Sequence, residues 1–125
     1  MDSQAVERWF EPELYNAAAV RMFVRDRTAP LAVNHAAVLL MASELANNAI
    51  IHARTPFCVR LHPTPTALRV EVLDRSGDRP LLRPPDTSAP SGRGLRIVRA
   101  LASAWGVDPA PEGKRVWFEA PFSPS

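Results

Sequence analysis

The sequence has 125 residues but only one cysteine, one tyrosine and five glycines, and aromatic residues make up 7% of it. Because Cys58 has no second thiol to pair with, internal disulfides are excluded, and a single free thiol is compatible with a reducing cytoplasm. The longest apolar run, AAVLLMA at residues 36–42, is far shorter than the ~20 residues of a membrane helix. The N-terminal segment lacks a basic-then-apolar pattern, so we expect no signal peptide.

The basic and acidic residues are also nearly balanced in number. The formal net charge is +2, from 15 basic and 13 acidic residues, and the arginines are scattered along the chain without interleaved aromatic residues. This pattern does not indicate a nucleic-acid surface. A hydrophobic fraction of 46% is typical of a globular domain, and the chain is long enough to bury a core. We therefore predict one cytoplasmic domain over residues 1–125, with no direct contact to nucleic acid or membrane.

Hydrophobic periodicity predicts a strand, two helices, two strands, a long loop, a third helix and two further strands. The predicted strands include residues 5–11, 56–63, 66–74 and 113–121, and the predicted helices are 12–27, 34–53 and 94–105, with Gly106 as a helix stop. The two hairpin-like strand pairs indicate an α+β fold, a two-layer sandwich whose antiparallel-rich mixed sheet carries three helices on one face.

The loop at residues 75–91 contains four prolines with several Ser, Asp and Gly residues, so it can form neither a helix nor a central strand. Loops longer than about 12–15 residues in a compact domain are usually functional or disordered. We predict that this segment is a lid and that its flanks carry a site.

Three polar residues of the second helix, Glu44, Asn48 and His52, recur every four residues and would lie along one edge beside the apolar stripe. Carboxylate and amide oxygens are ligands that Mg²⁺ accepts when a substrate phosphate completes its shell. A solvated polar edge is the commoner explanation of such spacing, so the pattern by itself is weak.

The predicted lid is bordered by two further candidates. Asp74 ends a strand, where its carboxylate could accept a hydrogen bond from an amino group of a base, with Gly77 allowing close approach; capping of its own turn is the alternative. Gly92 and Gly94 precede the third helix, and helix N-termini bind phosphates through unpaired N–H groups. Neither pattern is specific alone.

The segments SELANNAIIHA, VLDRSGDRP, SGRGLRIVRALASAWGV and GKRVWFE together resemble the ATP-binding domain shared by bacterial anti-sigma factor serine kinases and sensor histidine kinases, the GHKL or Bergerat type. The resemblance covers roughly residues 12–120 and is strongest to short stand-alone regulatory proteins of actinobacteria.

This resemblance implies ATP and Mg²⁺ as ligands and assigns roles to particular residues. Asn48 would bind the magnesium ion, Glu44 would be the catalytic base, and His52 would support the nucleotide-facing edge. Asp74 would recognise adenine, with Gly77 beside it. The remaining implied contacts are the phosphate cradle, formed by Gly92, Arg93, Gly94 and Leu95, and Gly113, which would keep the last strand close to the adenine pocket.

Proteins of this family transfer the γ-phosphate of ATP to a Ser or Thr of an anti-sigma factor antagonist, and they bind this antagonist and a sigma factor alternately. The resemblance therefore implies a kinase in a partner-switching circuit that regulates transcription, and it is compatible with a homodimer. The family loop reads Asp-x-Gly-x-Gly, whereas residues 74–78 read Asp-Arg-Ser-Gly-Asp. A non-catalytic binding module, with or without ATP, and a purely structural domain remain as alternatives.

The other conspicuous residues are interpreted as structural. Trp105 and Trp117 are expected to pack in the core, and Cys58 is expected to be a small buried residue of a strand. His35 and His62 have no zinc-ligand spacing to each other or to Cys58.

Overall fold

The computed structural model describes residues 5–76 and 90–123, with residues 90–94 described by their backbone alone. The elements are β1 (Val6–Phe10), α1 (Asn16–Thr28), α2 (His35–Asn48) with a following π-helical turn (Ala49–Ala53), β2 (Phe57–Pro63), β3 (Ala67–Asp74), α3 (Pro90–Leu101), β4 (Ala104–Ala110) and β5 (Gly113–Pro121). The predicted order of strands and helices is confirmed.

The strands form one five-stranded sheet in the order β1-β2-β3-β5-β4. All four neighbouring pairs are antiparallel, so the sheet is antiparallel throughout rather than mixed. The α+β class is confirmed. Central β3 pairs with β5 from Ala67↔Pro121 to Asp74↔Lys114, which joins the C-terminal end of β3 to the N-terminal end of β5.

The core lies between one face of the sheet and the three helices. Alternate strand residues face the helices, as expected for period-two strands with one covered face. The fully buried side chains include Val20, Val24, Val38, Met41, Leu45, Val59, Leu68, Val70, Val98 and Phe118. We call this helix-covered side the inner face and the opposite side the outer face.

Helix α2 is the central helix and packs against both α1 and α3. Its N-terminus is capped by Asn34, whose Oδ1 accepts a hydrogen bond from the Ala37 N–H at 3.1 Å. With the π turn it forms a 19-residue helical segment, His35–Ala53, of mean hydropathy 1.3, so by length and composition it could cross a membrane. This segment is longer than the apolar run at residues 36–42, because polar residues interrupt it after Ala42. Such a helix is weak support for a membrane span, because the core helix of a packed domain passes the same test.

Three local predictions are wrong. Helix α1 begins at Asn16 and not at Pro12, because a turn closed by the Asn16 N–H to Glu13 O bond at 2.8 Å precedes it. Gly106 is not a helix stop: α3 ends at Leu101, and Gly106 pairs with Trp117 within the β4–β5 ladder, so strand pairing overrides the helical pattern. Trp117 lies on the outer face and not in the core, whereas Trp105 packs against the core.

Candidate functional site

The C-terminal end of β3 carries a buried ion pair. Asp74 and Lys114 are 5% and 8% exposed, and they are register partners on the inner face. Lys114 Nζ lies 3.1 Å from Asp74 Oδ1 and 3.0 Å from Oδ2, and Oδ1 also accepts the Ser76 N–H at 2.8 Å. The carboxylate of Asp74 is thus fixed by a cation and by the backbone that follows it.

Gly113 brings β5 against this end of β3. A Cβ atom at position 113 would overlap the Asp74 carbonyl oxygen and lie 2.7 Å from the Arg75 Cα and carbonyl carbon. These are backbone atoms held by the strand ladder, so only glycine fits here without displacing Asp74.

The first residue after β3 is tied to three other elements. The Arg75 N–H donates to Thr55 Oγ1 at 3.0 Å, which joins the end of the π turn region to the start of the predicted lid. The Arg75 guanidinium lies 5.1 Å from the Trp9 ring centroid, and its Nε is 3.7 Å from Glu112. Sequence reasoning missed Thr55, Arg75 and Lys114. Of these only Lys114 had a signal, since it is the one lysine in the chain.

Glu44 and Asn48 lie one helical turn apart on α2, and both are partly buried. Within the part of the chain that the structure describes, neither side chain has a hydrogen bond or ion pair. Ile50, about 160° away around the helix from Asn48, lines a pocket of about 520 Å³ with the β1–α1 connection. Because Ile50 faces the connection that leads into α1, we infer from helical geometry that Glu44 and Asn48 lie on the opposite flank of α2, towards α3.

His52 follows this pair one turn further along the chain. It lies in the π turn, where the repeat is longer than in an α-helix, and its side chain is exposed. The turn ends at Arg54, which has φ of 55° and donates its N–H to Ala49 O at 2.9 Å. The predicted four-residue repeat is α-helical from Glu44 to Asn48 and reaches His52 through the π turn. The place of His52 at that edge stays a prediction.

The predicted phosphate cradle is only partly described. Helix α3 begins at Pro90, within the predicted lid and before the predicted start at residue 94, because a proline is tolerated in the first turn of a helix. Gly92 therefore lies in the first turn, where N–H groups lack helical partners, and Gly94 lies beyond the first four positions. Residues 77–89 of the predicted lid lie outside the described residues. Arg93 is described by its backbone alone, and Leu95 is buried in the core. Gly77 lies outside the described residues.

The described residues contain no group of three or more His, Cys, Asp or Glu side chains that could hold a metal ion by themselves. Mg²⁺ is commonly bound by one or two protein oxygens together with waters and substrate phosphates. The unengaged oxygens of Glu44 and Asn48 fit that mode of binding, and they do not fit an all-protein cage.

Comparison with known proteins identifies the family to which this chain belongs. The family model of the histidine kinase-like ATPase domain matches residues 10–120, and the chain belongs to that family. None of the curated proteins matches the chain.

A similar solved structure is that of the RsbU and RsbW domains of Rv1364c from Mycobacterium tuberculosis, with a TM-score of 0.72 and 17% sequence identity. The match covers 98% of this chain and 34% of that one, so this chain spans about a third of its length. At this identity the likeness concerns the fold.

Proposed function

We propose that this protein binds Mg²⁺-ATP and transfers the γ-phosphate to a serine or threonine of a partner protein. The observation that carries the proposal is the pair of oxygen ligands, Glu44 and Asn48, which lie one turn apart on α2 and have no hydrogen-bond or ion-pair partner among the described residues. Membership of the histidine kinase-like ATPase family supports ATP as the ligand.

Glu44 is proposed as the general base. Its carboxylate takes the proton of the acceptor hydroxyl as that oxygen forms its bond to the γ-phosphorus. The bond from the γ-phosphorus to the bridging oxygen breaks, and ADP leaves. Asn48 contributes an amide oxygen to the magnesium ion, which neutralises charge on the phosphates. His52, being exposed, supports the edge of the nucleotide site from outside.

Asp74 is proposed to bind the adenine amino group, with Gly77 beside it and Gly113 holding β5 against the strand end. The start of α3 is proposed to hold the phosphates through its free backbone N–H groups, aided by Gly92, Arg93, Gly94 and Leu95.

The proposed partners are an anti-sigma factor antagonist, as the phosphate acceptor, and a sigma factor bound in alternation, in a cytoplasmic circuit that regulates transcription. This assignment rests on the resemblance of the site segments, and the fold likeness to the crystal structure that includes an RsbW domain supports it.

A second candidate function is a binding module that holds its partners without phosphorylating them. The observation that favours it is the engagement of Asp74 by Lys114, together with a loop whose single glycine is displaced and whose second glycine position holds an acid. The ion pair would weaken nucleotide binding if Asp74 could not accept another hydrogen bond. The altered loop would weaken it by hindering the close approach of the base.

The test uses γ-labelled ATP and the antagonist encoded beside this gene. We expect label on the antagonist, a loss of at least about 100-fold in transfer rate for Glu44→Gln, and nearly unchanged Mg²⁺-ATP affinity in that variant. Asn48→Ala should lose the magnesium-dependent part of ATP binding, measured by titration calorimetry.

Asn47→Ala is the matched control, because Asn47 is the same residue type one position earlier and points about 100° away around the helix. It should bind Mg²⁺-ATP like the wild type. ATP binding without transfer would favour the binding module, and transfer unaffected by Glu44→Gln would contradict the catalytic assignment.

A further inference from the structure

The ion pair at the end of β3 contains the only lysine of the chain. The other 14 basic residues of the 15 are arginines, yet the residue that faces Asp74 is Lys114. Burial of an ion pair is costly, and an apolar pair is often at least as stable at such a position. The exception therefore needs a reason that stability alone does not supply.

The hydrogen-bonding capacity of this pair is not exhausted. An ammonium group has three hydrogens, and the two contacts of Lys114 are with the two oxygens of Asp74. Nζ makes no further hydrogen bond among the residues that the structure describes. Asp74 Oδ1 accepts from both Lys114 and the Ser76 N–H, but Oδ2 contacts Lys114 alone and keeps a lone pair.

The pair thus offers one acceptor and one donor side by side, with Oδ2 and Nζ 3.0 Å apart. A 6-aminopurine presents the complementary pattern, since its amino group is a donor and the ring nitrogens nearest to it, N1 on one edge and N7 on the other, are acceptors. An arginine would engage the carboxylate with two parallel N–H groups and would present a different, planar set of donors.

We propose that Lys114 is a base-recognition residue: Asp74 Oδ2 accepts a hydrogen bond from the adenine amino group while Lys114 Nζ donates to the adjacent ring nitrogen. This inference rests on the proposed ATP-binding function and names a residue that reads the base within that site. The ion pair then forms two hydrogen bonds with the base, and Asp74 can still accept one of them while it is paired with Lys114.

The test compares ATP with 1-deaza-ATP and 7-deaza-ATP, each lacking one ring nitrogen, by calorimetric titration of the full chain with Mg²⁺. We expect one analogue to bind at least about tenfold more weakly than ATP, as for loss of a charged hydrogen bond. In Lys114→Met this difference should fall to about twofold or less. Arg115→Met, a charge removal at the next position on the outer face, should keep the wild-type ratio.

Should Lys114→Met fail to fold, Asp74→Leu/Lys114→Met removes both charges and every side-chain donor of the pair, and the difference between ATP and the analogue should again fall to about twofold or less. Equal binding of all three nucleotides by the wild type would overturn the inference while leaving ATP binding intact. A ratio that persists without Lys114 would also overturn it. Absence of ATP binding by the wild type would instead overturn the proposed function, and this inference with it.

Discussion

Strand β3 carries two buried carboxylates, each 5% exposed, on opposite faces of the sheet. Asp74 is on the inner face with one buried lysine. Glu71 is on the outer face, where Oε2 lies 2.8 Å from Arg69 Nε and Oε1 lies 3.6 Å from Arg60 Nη1. The two acids share a strand and a degree of burial but differ in the number and exposure of their partners.

The outer-face partners form a network that reaches solvent. Arg69 lies 3.8 Å from the Trp117 ring centroid and 3.4 Å from Glu119, and the Trp117 indole N–H donates to Asp108 at 3.0 Å. This network is redundant at Glu71, because two arginines, Arg60 and Arg69, lie near its carboxylate. Asp74 has no second cation among the described residues. The difference favours a structural role for Glu71 and agrees with the ligand-binding role that we propose for Asp74.

The largest expected effect follows from this difference in redundancy. Lys114→Met leaves the buried Asp74 carboxylate without a cation, and we expect the free energy of unfolding to fall by about 3–5 kcal/mol. Arg69→Met leaves Glu71 with Arg60, and we expect a loss of about 1 kcal/mol. Urea denaturation of both variants at neutral pH measures the contrast. Losses of the same size would mean that the two acids are held in equivalent ways.

Removing each acid, rather than its cation, should also distinguish the two, and here the measured quantity is the affinity for Mg²⁺-ATP. Asp74→Ala deletes the acceptor for the adenine amino group, and we expect Mg²⁺-ATP affinity to fall about 100-fold. Glu71→Ala, on the face away from the helices, should change that affinity less than about twofold. Calorimetry at low temperature, with folding verified by circular dichroism, gives both values. A comparable loss in Glu71→Ala would remove the distinction between the faces.

Much of this fold follows from the sequence, because period-two and helical patterns are local. The strands β2, β3 and β5 and the one-turn spacing of Glu44 and Asn48 were predictable in this way. Gly106 was misassigned because alanine-rich sequence favours a helix locally, whereas its place in β4 is set by pairing with β5.

The Asp74–Lys114 pair could not be predicted, since the two residues are 40 positions apart and meet only through the β3–β5 register. A shift of one residue would move Lys114 to the outer face. The π turn that contains His52 was also unpredictable, because such a turn arises where packing constrains the end of a helix and has no simple sequence pattern.

Two glycines of the β4–β5 hairpin allow the inner and outer faces to be compared through backbone contacts. Gly113 lies against the backbone at Asp74, and Gly106 lies against Trp117 on the outer face. Gly113→Ala would drive its methyl group into the Asp74–Arg75 backbone, and we expect a loss of about 2–3 kcal/mol in unfolding free energy together with weaker ATP binding. Gly106→Ala would meet the Trp117 ring at 2.8 Å. A side chain can adjust, so we expect about 1 kcal/mol and unchanged ATP binding. Unchanged ATP binding in a folded Gly113→Ala would show that Asp74 tolerates displacement.

Cys58 gives an effect that appears only at alkaline pH, and it tests whether water reaches this part of the outer face. Burial, reinforced by the negative charge of Glu7, raises the pKa of its thiol from 9.0 to about 11. Because the pKa of the thiol is higher in the folded state, the folded protein keeps a proton that the unfolded protein loses above pH 9. The contribution of the protonated thiol to the free energy of unfolding is therefore complete below pH 9 and is lost as the pH rises towards 11. We expect the stability difference between wild type and Cys58→Ala to shrink by about 1–2 kcal/mol between pH 8 and 10.5. Denaturation curves at the two pH values measure this change. A constant difference between wild type and Cys58→Ala would mean that water reaches the thiol.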